Sequence, residues 1–198
     1  MIVFKNNSSL EPYVLLRDFY LKALDSGQPN IEAVCISSYD QKNSFVDARF
    51  VNIKIIDGED FIFFSNYESP KSKQFKSHSQ ITTIFYWQSV DLQIRMKCEI
   101  DRLNSKYSDE YFQNRKKEKN ALAISSMQSS LISSYDDVQK NYFETLKNED
   151  LTKRPKYWGG FSFKPYYFEF WQGHPSRINK RVIYSNDDNK WSSYIIQP

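Results

Sequence analysis

The chain has 198 residues, of which 17% are aromatic and 26% are charged. This length and aromatic content predict one domain over residues 1–198 with a sizeable core, and they exclude a disordered protein. The formal charge is only +3, and the cations are interspersed with acids. That balance argues against a nucleic-acid-binding module but is compatible with recruitment of phosphorylated small molecules.

The cysteines and the N-terminal sequence predict a soluble, cytoplasmic protein. Cys35 and Cys98 lie in apolar runs without CxxC spacing, which favours reduced core thiols over a disulfide. The first ten residues lack the apolar stretch and cleavage site of a signal peptide, and no apolar run is long enough to span a membrane.

The first predicted element is an amphipathic helix over about residues 9–26. The pattern then changes to that of strands in "IEAVCISS", "FVDARFVNIKII" and "DFIFFSN", and Asp57-Gly58 predicts a hairpin turn between the last two. A short helix is predicted next in "SPKSKQFKSH", with Ser69 as its cap and Pro70 at its first position.

Strand patterns dominate the second half of the chain. A strand is predicted in "ITTIFYW", and residues 90–100 alternate strictly between apolar and polar side chains. Residues 106–148 are predicted to be helical, and three strands follow in "PYYFEFWQ", "RVIYS" and "KWSSYIIQ". This order predicts a mainly β protein with helical additions, namely an antiparallel β-barrel.

The five glycines form neither a GxGxxG nor a Walker A motif, so side chains must hold any phosphate. Arg49 and Lys54 in "RFVNIK" are candidates, although ion pairing at a barrel rim is the alternative. Lys71 lies in the first turn of a helix near Ser65. A bound anion would relieve its conflict with the helix dipole, whereas a solvated lysine is the alternative.

Further hydrogen-bonding groups occur in the polar segments. Tyr111 and Arg115 are four residues apart, so on a helix they would share a face and could bind one phosphate. A solvated basic helix is the alternative. Gln93, Gln128 and Ser129 are uncharged hydrogen-bonding residues that indicate nothing by themselves.

The segment "FWQGHPSRINKR" combines a tryptophan with the cations Arg177, Lys180 and Arg181, as expected beside a flat, anionic ligand. The only histidines are His78 and His174, so no His-rich metal site is possible, and no nucleophile–base pair is recognisable. If the protein is an enzyme, a cofactor must supply the chemistry.

Taken together and in this order, these segments resemble the pyridoxine/pyridoxamine 5′-phosphate oxidase family, flavin enzymes with the FMN-binding split-barrel fold. The resemblance runs from about Glu32 to the C-terminus. It is carried by seven collinear motifs: "RFVNIK", "FFSNYESPK", "YWQSVDLQI", "EYFQNR", "MQSS", "YWGGF" and "FEFWQGHPSRINKR".

The resemblance implies a homodimer with FMN at the subunit interface, so that each site draws residues from both chains. The residues implied for FMN are Arg49, Lys54, Phe64, Ser65, Lys71, Gln93, Gln128, Ser129, Trp171 and Arg181. The residues implied for the phosphorylated substrate are Lys54, Tyr111, Arg115, Lys119, Arg177 and Asn179, the last two in the catalytic positions.

The implied activity is the FMN-dependent oxidation of pyridoxamine or pyridoxine 5′-phosphate to pyridoxal 5′-phosphate, with O₂ as the electron acceptor. The chain departs from the family pattern at four positions. Asn179 and Lys180 replace a histidine and an acidic residue, Lys119 replaces a serine, and Pro70 replaces an arginine. These departures leave two alternatives open: a related flavin-dependent oxidoreductase of the phenazine-precursor type, and a non-catalytic flavin-binding protein.

Overall fold

The structure is a computed structural model that describes residues 1–198, with ten strands in one sheet. All strand pairs are antiparallel except β1 with β4, which confirms the predicted mainly β, antiparallel fold. The elements in chain order are β1 (Val3–Lys5), α1 (Glu11–Asp25), β2 (Ala33–Asp40), β3 (Phe45–Asn52), β4 (Ile55–Asp57), β5 (Asp60–Asn66), α2 (Pro70–Ser77), β6 (Gln80–Trp87), β7 (Leu92–Arg102), α3 (Ser105–Gln113), α4 (Lys117–Ser125), α5 (Tyr135–Asn148), β8 (Trp158–Gln172), β9 (Lys180–Asp187) and β10 (Lys190–Ile196).

One bent segment, residues 45–57, closes the sheet into a barrel. Its first part, β3, pairs with β2, and its second part, β4, pairs with β5 at the other end of the strand order. At the bend, the Ile53 N–H donates to the Glu32 carbonyl, whereas the Lys54 N–H donates to the Ile62 carbonyl. The sequence predicted one uninterrupted strand here and did not predict β1. The interruption places Lys54 at the point where the strand changes partners.

The barrel core follows the predicted alternation of β7. Its inward-facing side chains are at most 4% exposed, and they are Leu92, Ile94, Met96, Cys98 and Ile100. The strand begins at Leu92 because the chain before it forms a 3₁₀ turn, Gln88–Val90, and Asp91 has a positive φ of 46°. Helix α1 closes the barrel with aromatic contacts, including Tyr13 against Phe168 with ring centroids 5.1 Å apart.

Strand β8 is longer than predicted, because residues 158–161 of the "YWGGF" motif belong to it. The glycines allow close packing: a Cβ on Gly160 would lie 2.6 Å from Leu103 Cδ1, and one on Gly159 would lie 2.2 Å from the Tyr67 hydroxyl oxygen. The first part of β8 pairs with β5 and the last part pairs with β9. Strand β8 therefore connects the part of the sheet that contains β5 with the part that contains β9.

The predicted helical region 106–148 contains three helices and a loop at 126–134. Both cysteines are free, as expected, but Cys98 is buried and Cys35 is only half-buried, so only Cys98 is a core thiol. None of the helices combines the length and the apolar character required to cross a membrane.

Candidate functional site

A cavity of about 940 Å³ lies beside the interruption between β3 and β4. Its walls carry six cationic side chains, Arg49, Lys54, Lys71, Arg115, Lys116 and Lys119, but only two acidic ones, Glu32 and Asp47. The predicted site residues that line it are Arg49, Lys54, Phe64, Ser65, Lys71, Tyr111, Arg115, Lys119, Gln128 and Ser129. The cavity therefore has the charge expected of an anion-binding site.

Lys71 is a buried cation without an acidic partner. The residue is 7% exposed, and its Nζ donates to Ser69 Oγ at 3.1 Å and to Gln128 Oε1 at 3.2 Å. Burial, together with the positive charge of Arg49, lowers the pKa of Lys71 to about 8. Burying an unpaired charge is unfavourable, so this end of the cavity fits a phosphate group that would supply the missing negative charge.

The predicted start of α2 is confirmed, but capping by the Ser69 side chain is not. Ser69 is the N-cap residue and Pro70 begins the helix, but the Ser69 side chain accepts no hydrogen bond from a backbone N–H of the helix. Its hydroxyl instead donates to the Asn66 carbonyl at 2.8 Å and accepts from Lys71 Nζ. Ser69 therefore orients Lys71 rather than capping the helix.

Arg49 is both a cavity residue and an ion-paired one. Its guanidinium contacts the Asp47 carboxylate at 2.5 Å and donates to Ser38 Oγ at 2.6 Å and to Gln74 Oε1 at 2.8 Å. The rim ion pair considered from the sequence is thus present. The contacts fix the guanidinium beside Lys71, where a phosphate could contact both cations.

Elsewhere in the cavity wall, aromatic stacking rather than a shared helical face brings Tyr111 and Arg115 together. Helix α3 ends at Gln113, so the prediction that both residues lie on one helix was wrong. The Tyr111 ring stacks on Phe64 with centroids 3.6 Å apart, and Phe64 stacks on Trp158 at 5.4 Å. The Arg115 guanidinium lies 4.8 Å from the Trp158 ring centroid. Burial lowers the pKa of Arg115 and raises that of Tyr111.

Asn120 also positions Arg115, a role that the sequence did not predict. It is 1% exposed, and its amide donates to the carbonyls of Phe112 at 2.8 Å and Leu151 at 2.9 Å. Arg115 donates to Asn120 Oδ1 at 3.4 Å and to the Lys119 carbonyl at 2.8 Å. An asparagine in a polar, basic run carries no sequence signal of such a buried role.

Lys54 projects into the cavity from the interruption between β3 and β4. Burial lowers its pKa, as do the positive charges of Lys119 and Arg115, and Glu32 opposes the decrease. The Lys54 Nζ lies 3.9 Å from Glu32 Oε1. Glu32 was not among the predicted site residues, although it begins the segment that carries the family resemblance.

A second group of predicted residues lies outside this cavity. Gln93, Trp171 and Arg181 are register neighbours on β7, β8 and β9 and form one row across the sheet. Ser65 at the cavity pairs with Gly159, twelve residues before Trp171 on β8. Twelve strand residues correspond to a path of about 40 Å. One chain therefore carries two separate groups of predicted residues.

A buried carboxylate that the sequence did not reveal supports this row. Glu169 is 2% exposed and lies between two arginines. It accepts from Arg181 Nε at 2.8 Å through one oxygen and from Arg95 Nε at 3.0 Å through the other. Burial alone would raise the pKa of Glu169, but the bonds and charges of the two arginines lower it below its ordinary value. Glu169 fits the strand alternation of β8, so only its two arginine partners in the structure identify its role.

Arg177 and Asn179 lie in the turn after β8, also outside the cavity. Arg177 is exposed and has a positive φ of 61°. Asn179 is half-buried, and its Oδ1 accepts from the His174 N–H at 3.0 Å. The two predicted catalytic residues thus follow the end of β8 at which Trp171 lies in the row with Gln93 and Arg181.

A barrel closed by one bent segment, with a cationic cavity beside the bend, defines the class of split β-barrel proteins with an anion-binding cavity. Residues 22–142 match the family model described as "Pyridoxamine 5'-phosphate oxidase". Residues 158–198 match the "Pyridoxine 5'-phosphate oxidase C-terminal dimerisation region". The chain belongs to the pyridoxine/pyridoxamine 5′-phosphate oxidase family and is an oxidoreductase of that family.

Curated relatives match almost the whole chain. The pyridoxine/pyridoxamine 5′-phosphate oxidase of Christiangramia forsetii is 33% identical over 194 residues, covering 95% of this chain and 89% of the relative. That of Herminiimonas arsenicoxydans is 29% identical over 196 residues, covering 98% and 92%.

Two solved structures share the fold. PhzG from Burkholderia lata, in complex with tetrahydrophenazine-1-carboxylic acid, superposes with a TM-score of 0.89 at 22% identity, covering 95% of this chain and 93% of that chain. A pyridoxamine 5′-phosphate oxidase-related, FMN-binding protein from Nostoc punctiforme superposes with a TM-score of 0.77 at 15% identity, covering 96% and 99%. The FMN-binding split-barrel fold expected from the sequence is therefore confirmed.

Proposed function

We propose that this protein is an FMN-dependent oxidase that converts pyridoxamine or pyridoxine 5′-phosphate to pyridoxal 5′-phosphate with O₂ as the electron acceptor. Family membership supports the reaction class. The single observation that carries the assignment to this chain is the cavity whose walls carry six cationic side chains and only two acidic ones. This excess of positive charge suits a phosphorylated cofactor and a phosphorylated substrate bound side by side.

The FMN phosphate is assigned to the end of the cavity that contains Lys71. The buried, unpaired ammonium supports this assignment, because a phosphate would replace the missing counter-ion. Arg49 would provide a second cation, and Ser65 and Gln128 would provide hydrogen bonds. Pro70 replaces a cation at this end, so Arg49 and Lys71 would carry the charge together.

The complete flavin site is assigned to a homodimer. Within one chain, the row formed by Gln93, Trp171 and Arg181 lies apart from the cavity. The C-terminal part of the chain matches a dimerisation region. In this proposal the row of one subunit completes the cavity of the other. Glu169 would keep Arg181 in place at that interface.

The substrate phosphate is assigned to Tyr111, Arg115, Lys54 and Lys119. The stacked rings and Asn120 fix Arg115 before any ligand binds, so little conformational freedom remains to be lost on binding. Lys119 supplies an ammonium where the family has a serine, which preserves a hydrogen-bond donor and adds charge.

When bound, FMN would accept a hydride from the substrate and pass the electrons to O₂. The residues of the chain contribute binding and orientation. The cations of the cavity would fix the phosphate at one end of the substrate, while Arg177 from the turn after β8 would hold the other end. The half-buried walls would limit access of water.

The test is steady-state turnover of the FMN-reconstituted protein, followed as hydrogen peroxide formation. We expect activity with pyridoxine and pyridoxamine 5′-phosphates and almost none with unphosphorylated pyridoxine, because the substrate phosphate contributes most of the binding. Retained flavin without turnover of either phosphate would overturn the substrate assignment. Oxidation of tetrahydrophenazine-1-carboxylic acid by the same sample would then favour the phenazine-precursor alternative, and no oxidation at all would favour the non-catalytic one.

A further inference from the structure

The turn between β8 and β9 is organised around His174. The His174 carbonyl accepts from the Arg177 N–H at 2.8 Å, and its N–H donates to Asn179 Oδ1 at 3.0 Å. Its Nδ1 accepts from the Ser176 N–H at 3.1 Å. Three hydrogen bonds therefore converge on one residue of a seven-residue turn.

These bonds hold Arg177 in an unfavourable backbone conformation. Its φ of 61° lies in the left-handed region, where a residue with a Cβ is disfavoured by about 1–2 kcal/mol. A strained non-glycine residue persists where the surroundings impose it, most often at functional sites. The Arg177 side chain is exposed and makes no hydrogen bond or ion pair within the chain. The turn thus presents a guanidinium that is free to contact a ligand.

We propose that Asn179 and His174 are positioning residues for Arg177. This inference rests on the proposed function, because Arg177 is assigned to the substrate there. Asn179 contributes the carbonyl oxygen of its side chain, which accepts the His174 N–H and keeps the turn closed. It acts on the substrate through Arg177 and does not donate a hydrogen bond to the substrate itself. An amide therefore serves where the family has a histidine, since the turn requires an acceptor at this position.

The test compares Asn179→Asp, which keeps an acceptor and loses the N–H₂ donor, with Asn179→Ala, which loses both. Ser176→Asp is the charge control, because it adds a carboxylate to the same turn and leaves Asn179 intact. Two quantities are measured on the FMN-loaded dimer. One is amide hydrogen exchange of peptides covering residues 173–181, and the other is kcat and KM for pyridoxine 5′-phosphate.

We expect Asn179→Ala to exchange at least tenfold faster in this peptide and to raise KM at least tenfold with flavin still bound. Asn179→Asp should raise the exchange rate and the KM less than threefold relative to the Ser176→Asp control. Equal losses of activity in Asn179→Asp and Asn179→Ala, with unchanged exchange in both, would overturn the proposal, because the amide N–H₂ would then contact the substrate. If the unmodified protein turns over neither vitamin B6 phosphate, the proposed function fails. The hydrogen-exchange data then test separately whether Asn179 keeps the turn closed. Faster exchange in Asn179→Ala alone supports this role, and equal exchange in all variants overturns it.

Discussion

Replacing Lys71 with methionine should weaken FMN binding and stabilise the FMN-free protein. Both effects follow from one observation, the buried ammonium whose pKa is lowered to about 8 by burial and by Arg49. A methionine has nearly the same length and needs no counter-ion. Opposite signs for binding and stability distinguish a ligand-binding lysine from one that stabilises the fold.

The expected magnitudes follow from the pKa and the hydrogen bonds. A pKa lowered from 10.5 to about 8 corresponds to a penalty of at most about 3 kcal/mol for the charged form. The variant also loses the bonds to Ser69 and Gln128, at about 1 kcal/mol each, and both of these residues keep another partner. We therefore expect a net stabilisation of about 1–2 kcal/mol. A charge-assisted bond to phosphate contributes about 1.5–3 kcal/mol, so FMN affinity should fall by about 10- to 150-fold.

The pH dependence gives a second signature. Because the pKa of Lys71 is lower in the folded protein than in the unfolded chain, its penalty is fully present below about pH 8 and disappears as the pH rises towards 10.5. A bound phosphate favours the charged lysine, so FMN affinity should be highest below about pH 8. It should then fall up to about tenfold per pH unit above that value. Lys71→Met should lack this decrease.

The assay is FMN titration by flavin fluorescence, paired with urea unfolding of the FMN-free protein. Lys73→Met is the matched control, since Lys73 is exposed on the same helix and carries the same charge. It should change FMN affinity less than threefold and stability by less than about 0.5 kcal/mol. Unchanged FMN affinity and decreased stability in Lys71→Met would show that Lys71 stabilises the fold and does not bind the FMN phosphate.

Three further predictions concern the rest of the site. Glu169→Gln should destabilise the protein by about 1–3 kcal/mol in urea unfolding, because two half-buried arginines lose their carboxylate. Since the pKa of Glu169 is lowered, the loss should be complete above its ordinary pKa of 4.5 and shrink as the pH falls through the lowered pKa; a pH-independent loss would contradict the ion pairing. Arg115→Ala should raise the KM for pyridoxine 5′-phosphate at least tenfold with less than a threefold change in FMN affinity. The control Lys117→Ala, which removes an exposed charge outside the cavity, should change neither quantity. Lost flavin with an intact KM would assign Arg115 to FMN instead of the substrate. Mixed dimers of Lys71→Met and Arg181→Ala subunits should regain one FMN site per heterodimer, and no recovery would place both residues in one subunit's site.

The sequence predicted the barrel because strand periodicity is a local property. The alternation of β7 and the hairpin at Asp57-Gly58 both depend on neighbouring residues, and both are present. The bend that places Lys54 was missed, because it results from β3 and β4 pairing with different strands. Arg115 was predicted as a site residue for the wrong local reason, since stacking on Trp158 rather than a helical face sets its position.

The candidate site was predictable where family motifs contain cationic residues, and not where buried polar residues support those cations. Glu169 and Asn120 are ordinary polar residues in their local sequence. Their roles arise from partners 12 to 74 residues away for Glu169 and up to 31 residues away for Asn120. Such long-range pairs depend on the packing of the whole barrel, so a single sequence does not reveal them.

The most direct test of the proposed oxidase is the absorbance of the FMN-loaded protein during anaerobic titration with pyridoxine 5′-phosphate. We expect that the visible absorbance band of the flavin bleaches with about one equivalent of substrate per site, that pyridoxal 5′-phosphate forms in equal amount, and that admitting O₂ restores the band. A flavin band that stays unchanged at saturating pyridoxine and pyridoxamine 5′-phosphate would contradict the proposed oxidase activity.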